Sequence, residues 1–170
     1  MKFWKIAPII LLLAHPLAAV QETTVPLFVI ERNINADVVH YDARLLDGKL
    51  DPQQPVVAYW VLATEGGRHQ ELSLIERLKA YGFKLRPGTQ PESYVLTIVS
   101  DRKKEIRIVR MGSTVRAAAH IGACEAYLEK VYVRLIKKFA VIDYPESAEM
   151  IGTDINTGVR CSERVTPADR

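Results

Sequence analysis

The chain has 170 residues, 23 Lys and Arg against 20 Asp and Glu, 48% apolar residues and two cysteines. That length makes one ordinary domain, able to bury most of its unfolded surface without a metal or a disulfide framework. The net charge of +3 counts against a nucleic-acid partner, which requires a concentrated basic face; the one dense basic cluster, Arg102-Lys103-Lys104, falls where a turn is expected.

Lys2 and Lys5 precede the apolar run Ile6 to Ala14, which leads to the small pair Ala18-Ala19. This order of charge, hydrophobe and small residues is that of a secretory signal peptide, so residues 1–19 are expected to be cleaved and the mature chain to begin near Val20. The run stops at His15-Pro16, short of the ~20 apolar residues of a membrane span, and no transmembrane anchor is expected after cleavage. No cysteine stands near the cut to carry a lipid. Without Lys2 and Lys5 the net charge drops from +3 to +1, because the leader holds no acid. Localisation is therefore expected to be exported, periplasmic or secreted.

Residues 20–170 read as a single β-rich domain with a less regular tail from about residue 152. Val39, Tyr41, Ala43 and Leu45 alternate with Val38, His40, Asp42 and Arg44, the period of a half-buried strand. Asp47-Gly48 supplies a turn, and Val56 to Ala63 is apolar on both faces, as in a strand covered on both sides. Gly66-Gly67 ends it. Ser73 and Glu76 have the spacing of a capping box, so a short helix starts there, with Leu74, Ile75 and Leu78 as its sheet-facing stripe and Gly82 as its left-handed stop. Strands follow at Tyr94–Val99, Glu105–Arg110, Val115–Ile121, Tyr127–Ile136 and Phe139–Tyr144, with a turn at Asp101 to Lys104. Seven to nine strands and one short helix predict an all-β, mainly antiparallel β-barrel or β-sandwich, with sequential hairpin pairing favouring a meander.

Cys124 and Cys161 form an even pair in a chain bound for an oxidising compartment, and neither has an activating partner nearby, so a disulfide is expected. It would close a loop of 37 residues, for ~3.8 kcal/mol in the loop-entropy picture. There is no G-x-S-x-G elbow, H-E-x-x-H, phosphate-cradling Gly-rich loop or C-x-x-C. His40 and Asp42 share a strand face but lack a third ligand, and Gly122 separates His120 from Cys124, so no metal, cofactor or Cys-His dyad is expected. Two polar and aromatic segments, Glu31 to Asp42 and Tyr59 to Gly82, carry the candidate ligand-binding residues Asn33, Asn35, Tyr59, Trp60, Glu76, Arg77 and Tyr81.

Phe28-Val29-Ile30-Glu31-Arg32-Asn33, Asn35-Ala36, His40-Tyr41-Asp42-Ala43, Pro55, Tyr59-Trp60, Glu71-Leu72, Ile75-Glu76-Arg77 and Ala80-Tyr81-Gly82 together resemble the secreted bacterial family of domain of unknown function 4833. Val131-Tyr132-Val133 and Thr157-Gly158 fit more loosely. The resemblance spans nearly the whole mature chain and implies an exported small domain, without catalytic residues to carry over. The two cysteines lie outside its pattern, which suits a structural disulfide. Two function classes follow: a non-catalytic domain that binds a small amphipathic ligand or an envelope component, and a hydrolase using Glu31, Asp42, Glu71 or Glu76 as paired carboxylates.

Overall fold

The computed structural model describes residues 21–138 and 142–167; the expected leader and its cleavage point lie outside the described residues. Among the described residues, twelve strands and one α-helix run in the order β1 (Glu22–Arg32), β2 (Val38–Leu46), β3 (Lys49–Leu50), β4 (Val56–Leu62), β5 (Arg68–Glu71), α1 (Leu74–Lys79), β6 (Phe83–Pro87), β7 (Tyr94–Ile98), β8 (Asp101–Met111), β9 (Thr114–Ile121), β10 (Cys124–Lys138), β11 (Ile142–Asp154) and β12 (Arg160–Val165). They form one sheet of order β5-β4-β2-β1-β10-β9-β8-β7-β6, with β11 and β12 branching from β10 and β3 from β2. The fold is all-β, a curled mixed sheet that makes a half-barrel.

Sequential hairpins build two antiparallel runs, β1 to β5 and β6 to β12, as a meander requires. The join between them is parallel: Val29 to Arg32 of β1 lie beside Lys130 to Val133 of β10. The start of β10 pairs β9 over Cys124 to Tyr127, while β11 runs along β10 on its other edge. Thus β9 and β1 share one edge of β10, and the sheet forks there into two wings. The inner faces of the wings meet in a core that includes Phe28, Val39, Tyr41, Trp60, Leu96, Ile106 and Ile108. Phe28 and Tyr41 stack at 4.4 Å, and the Tyr41 hydroxyl crosses to the carbonyl of Tyr81 at 2.5 Å.

Several expectations are corrected. The strand count exceeds seven to nine because β1 and β6 are not among the expected strands and β3, β5 and β12 are short. Pro26 masks β1 in the sequence, yet it sits at a bulge before the β10 pairing begins, where a lost backbone donor costs little. Arg102 to Lys104 belong to β8; the turn is the two-residue step Val99-Ser100. β4 has only the exposed β5 outside it, and its outward residues are half-buried rather than covered. Of the strand expected at Phe139–Tyr144, residues 139–141 lie outside the described residues, and β11 starts at Ile142.

The capping box at Ser73 and Glu76 is present, but the helix ends differently from the expectation. Ala80 is its C-cap, and Gly82 has no left-handed φ. A Cβ at Gly82 would overlap the backbone of Arg77, so glycine serves a close approach there. Leu74, Ile75 and Leu78 do not pack on the sheet: they are 71%, 75% and 61% exposed.

The region from 152 is less irregular than expected, since Arg160 to Val165 pair with β11. Cys124 and Cys161 form the disulfide, with Cα atoms 6.4 Å apart, tying β12 to the start of β10. Asp154 lies near both sulfurs, but a bonded pair of cysteines has no thiolate to offer a metal.

Candidate functional site

The gap between the edge strands β5 and β6 is crossed by α1, and between this helix and the inner face of the sheet lies a cavity of about 650 Å³. Its wall is mainly apolar, with Ile30 from β1, Ile98 and Ile106 from β7 and β8, Val131 and Val133 from β10, and Ala148 and Met150 from β11. Ile75, Glu76, Lys79, Ala80 and Tyr81 form the helix side. Such a volume is in the range of small-molecule sites, which pair an apolar lining with a few convergent polar groups.

The polar groups converge around Arg32, the last residue of β1. Phe28, Ile30 and Arg32 share the inner face because strand side chains alternate. The Arg32 guanidinium lies over the Trp60 ring at 4.2 Å, donates through Nη2 to Asn35 Oδ1 at 3.0 Å and through Nη1 to the Tyr81 hydroxyl at 3.5 Å. Its Nε is shielded from solvent and has no hydrogen-bond partner. Trp60 meets Tyr81 edge-on at 5.1 Å and donates its indole N–H to Glu76 Oε1 at 3.0 Å. The other oxygen of Glu76 accepts from the Ser73 backbone N–H at 2.7 Å.

Burial works to raise the Glu76 carboxyl, but hydrogen bonds from Ser73 and Trp60, with the Arg32 charge, outweigh it and hold the group below the usual carboxylate range. Burial pushes the Tyr81 phenol up despite the pull of Arg32. At neutral pH this cluster therefore carries an arginine cation, a carboxylate and a neutral phenol.

Of the residues expected to bind a ligand, Glu76 and Tyr81 line this cavity, the buried Trp60 supports them and Arg32 without lining it, and Asn35 holds Arg32. The rest do not join them. Asn33 receives the backbone N–H of Leu135 at 2.7 Å and donates to its carbonyl at 3.1 Å, extending the β1–β10 ladder by one step. Arg77 turns away, to the Leu72 carbonyl and the Glu71 carboxylate. Tyr59 is on the outer face, donating to the buried Asp42 at 2.5 Å and contacting the rings of His40 and His69.

Nor do the four carboxylates suggested for hydrolysis gather. Glu31 pairs Lys130 on the outer face, Asp42 is held by Tyr59, Glu71 pairs Arg77, and Glu76 alone of the four lines the cavity. His120 contacts Glu125 while Cys124 is consumed in the disulfide, so no Cys-His dyad forms. Arg32 was missed as a site residue, although its phase was readable: an arginine two residues beyond Ile30 continues a buried face.

Among the described residues no helix is long and apolar enough to cross a membrane. Comparison with curated proteins and with solved structures returned no match. A family profile does match, described as a domain of unknown function (DUF4833), over residues 28–164. That span runs from the middle of β1 through β12 and takes in the fork, the helix and the cavity, and the chain belongs to the DUF4833 family.

Proposed function

We propose that this is an exported, non-catalytic domain that binds a small amphipathic ligand, with the apolar part between α1 and the sheet and the polar part at Arg32, Glu76 and Tyr81. The observation that carries this reading is the pairing of a largely apolar cavity of about 650 Å³ with polar groups collected at its helix side. The exposed Ile75 on the cavity lining supports it, because an exposed apolar side chain at the mouth of an apolar cavity suits a molecule that is itself part apolar. The signal-peptide pattern of residues 1–19 and the Cys124–Cys161 disulfide support export. Calorimetric titration of the full chain with 1-decanol and sodium decanoate, each below its aggregation limit, tests the reading. Saturable one-to-one binding of either is expected, and no heat from either would remove it.

A further inference from the structure

Arg32 is a half-buried cation on the wall of an apolar cavity, and among the described residues it makes no ion pair with a carboxylate. Its neighbours explain why none comes from the protein. Both oxygens of Glu76 are occupied, by the Trp60 indole and the Ser73 amide. The cavity's other half-buried cation, Lys104, is committed to Glu163 at 2.6 Å and to the His120 carbonyl at 3.1 Å. A guanidinium has five N–H donors, and Arg32 uses two of them, toward Tyr81 and Asn35. The Tyr81 hydroxyl accepts from Arg32, so its own proton remains to be donated. Buried charges in proteins are ordinarily paired, yet here the cation is positioned by an aromatic platform and two neutral oxygens, and the nearest carboxylate, Glu76, acts on it only through space, without a direct ion pair.

Resting on the amphiphile reading above, we propose that the ligand is a single-chain carboxylate, an alkanoate-like molecule. Its head accepts hydrogen bonds from the Nη groups of Arg32 and the Tyr81 hydroxyl, and its chain lies along Ile106, Val131, Val133 and Met150. One guanidinium and one phenol match the two oxygens and single charge of a carboxylate. A dianion fits worse, because the Glu76 carboxylate lies against the same Trp60 ring and repels a second negative charge. The polar cluster is thereby a selector of head-group charge, and the apolar wall is indifferent to it.

The test is calorimetric titration of the full chain, wild type and Arg32→Gln, with decanoate, 1-decanol, decyl phosphate and decyltrimethylammonium. Decanoate should bind the wild type most tightly, and Arg32→Gln should weaken it about ten- to hundredfold, the worth of a charged hydrogen bond, while changing 1-decanol by less than about twofold on the same scale. Arg32→Lys, which keeps the charge but loses the fork, should fall between. If Arg32→Gln does not fold, the ranking on the wild type decides alone. Decanol, decyl phosphate or the ammonium binding as tightly as decanoate overturns the carboxylate proposal and leaves the amphiphile reading standing. An equal loss of decanoate and decanol in Arg32→Gln, or no loss, has the same effect. No binding of any of the four removes both.

Discussion

On the outer face of β1, β2 and β4, the carboxyl groups take partners within the protein: Glu31 takes Lys130 at 2.9 Å, and the buried Asp42 takes the Tyr59 hydroxyl at 2.5 Å through one oxygen while its other oxygen has no partner. One residue along each of these strands the side chains point inward, and there Arg32 meets an indole face, an amide oxygen and a phenol but makes no direct ion pair. Both faces use an aromatic hydroxyl to hold a charge. The outer pair is one hydrogen bond beside a smaller pocket of about 480 Å³ that Tyr59 helps to line, whereas the inner cluster opens onto the larger, mainly apolar cavity. Proximity of polar residues in sequence therefore says little about a site, because adjacent residues such as Tyr59 and Trp60 serve opposite faces.

The sharpest way to break this comparison is Trp60→Ala. Trp60 is 4% exposed, and its loss should cost ~3–5 kcal/mol, as for other large aromatic truncations. It also removes the platform under Arg32 and one hydrogen bond to Glu76, so decanoate binding should fall with stability. Urea denaturation checks the first and titration the second. A loss of stability with full binding retained would show that the inner cluster is core and not site.

Tyr59→Phe is the matched change on the outer face. It leaves the buried Asp42 without its donor, at a cost of ~1–3 kcal/mol for an unsatisfied buried group, and decanoate binding should not change. Burial, then the hydrogen bond to Asp42, raises the Tyr59 phenol above its ordinary value. A raised value means that the folded state holds this proton more tightly, so the stability it adds is fully present below the unfolded tyrosine value of ~10 and is lost as pH rises through the folded value. Denaturation midpoints taken upward from there should fall less steeply in Tyr59→Phe than in the wild type. Tyr41 and Tyr81, also raised, keep the variant from becoming flat. An identical alkaline slope would show that the Tyr59–Asp42 bond does not persist in solution.

The sequence made the fold class and half of the site legible for reasons that can be named. Strict alternation in Val39, Tyr41, Ala43 and Leu45 marks a strand with one buried face, and all four are buried. The S-x-x-E spacing at Ser73 marks a helix start because two orphan amides need two side-chain acceptors there. Trp60 and Tyr81 were legible as large amphipathic groups. What stayed hidden is set by long-range pairing. Nothing local announces that β1 lies parallel to β10, a pairing of residues about 100 apart, and that pairing carries Arg32 to the cavity and fixes Asn33 to Leu135. Arg77 stands apart from Glu76 because its guanidinium is taken by the Leu72 carbonyl and the Glu71 carboxylate, contacts that the helical spacing alone does not announce.

Ser73→Ala sharpens the part played by the helix. The Ser73 hydroxyl accepts from the Glu76 amide at 3.4 Å, and losing such a cap costs ~0.5–2 kcal/mol. Because α1 carries Glu76 and leads to Tyr81, the variant should also loosen the helix side of the cavity without touching the outer face. Hydrogen exchange should rise at residues 74–82 and stay unchanged at Asp42 and Tyr59. Equal rises on both faces would make the helix a general support of the wing.

The smallest effect is expected from Leu78→Ala, and its smallness is what makes it informative. Sequence spacing puts Leu74, Ile75 and Leu78 on one stripe, which in an isolated two-turn helix would be its only means of attachment. The structure attaches α1 by other means: the Trp60 indole holds Glu76, the Arg77 side chain holds the Leu72 carbonyl, and the Tyr41 hydroxyl holds the Tyr81 carbonyl. Leu78 is left 61% exposed, and alanine is as good a helix former as leucine, so Leu78→Ala should move stability by less than ~0.5 kcal/mol, the usual range for surface changes. Had the stripe packed on the sheet, the same truncation would cost ~2–5 kcal/mol. A measured loss of that size would mean that the helix folds inward in solution, closing the cavity against the polar cluster, and the contrast between the outer face and a wide, apolar inner cavity would disappear.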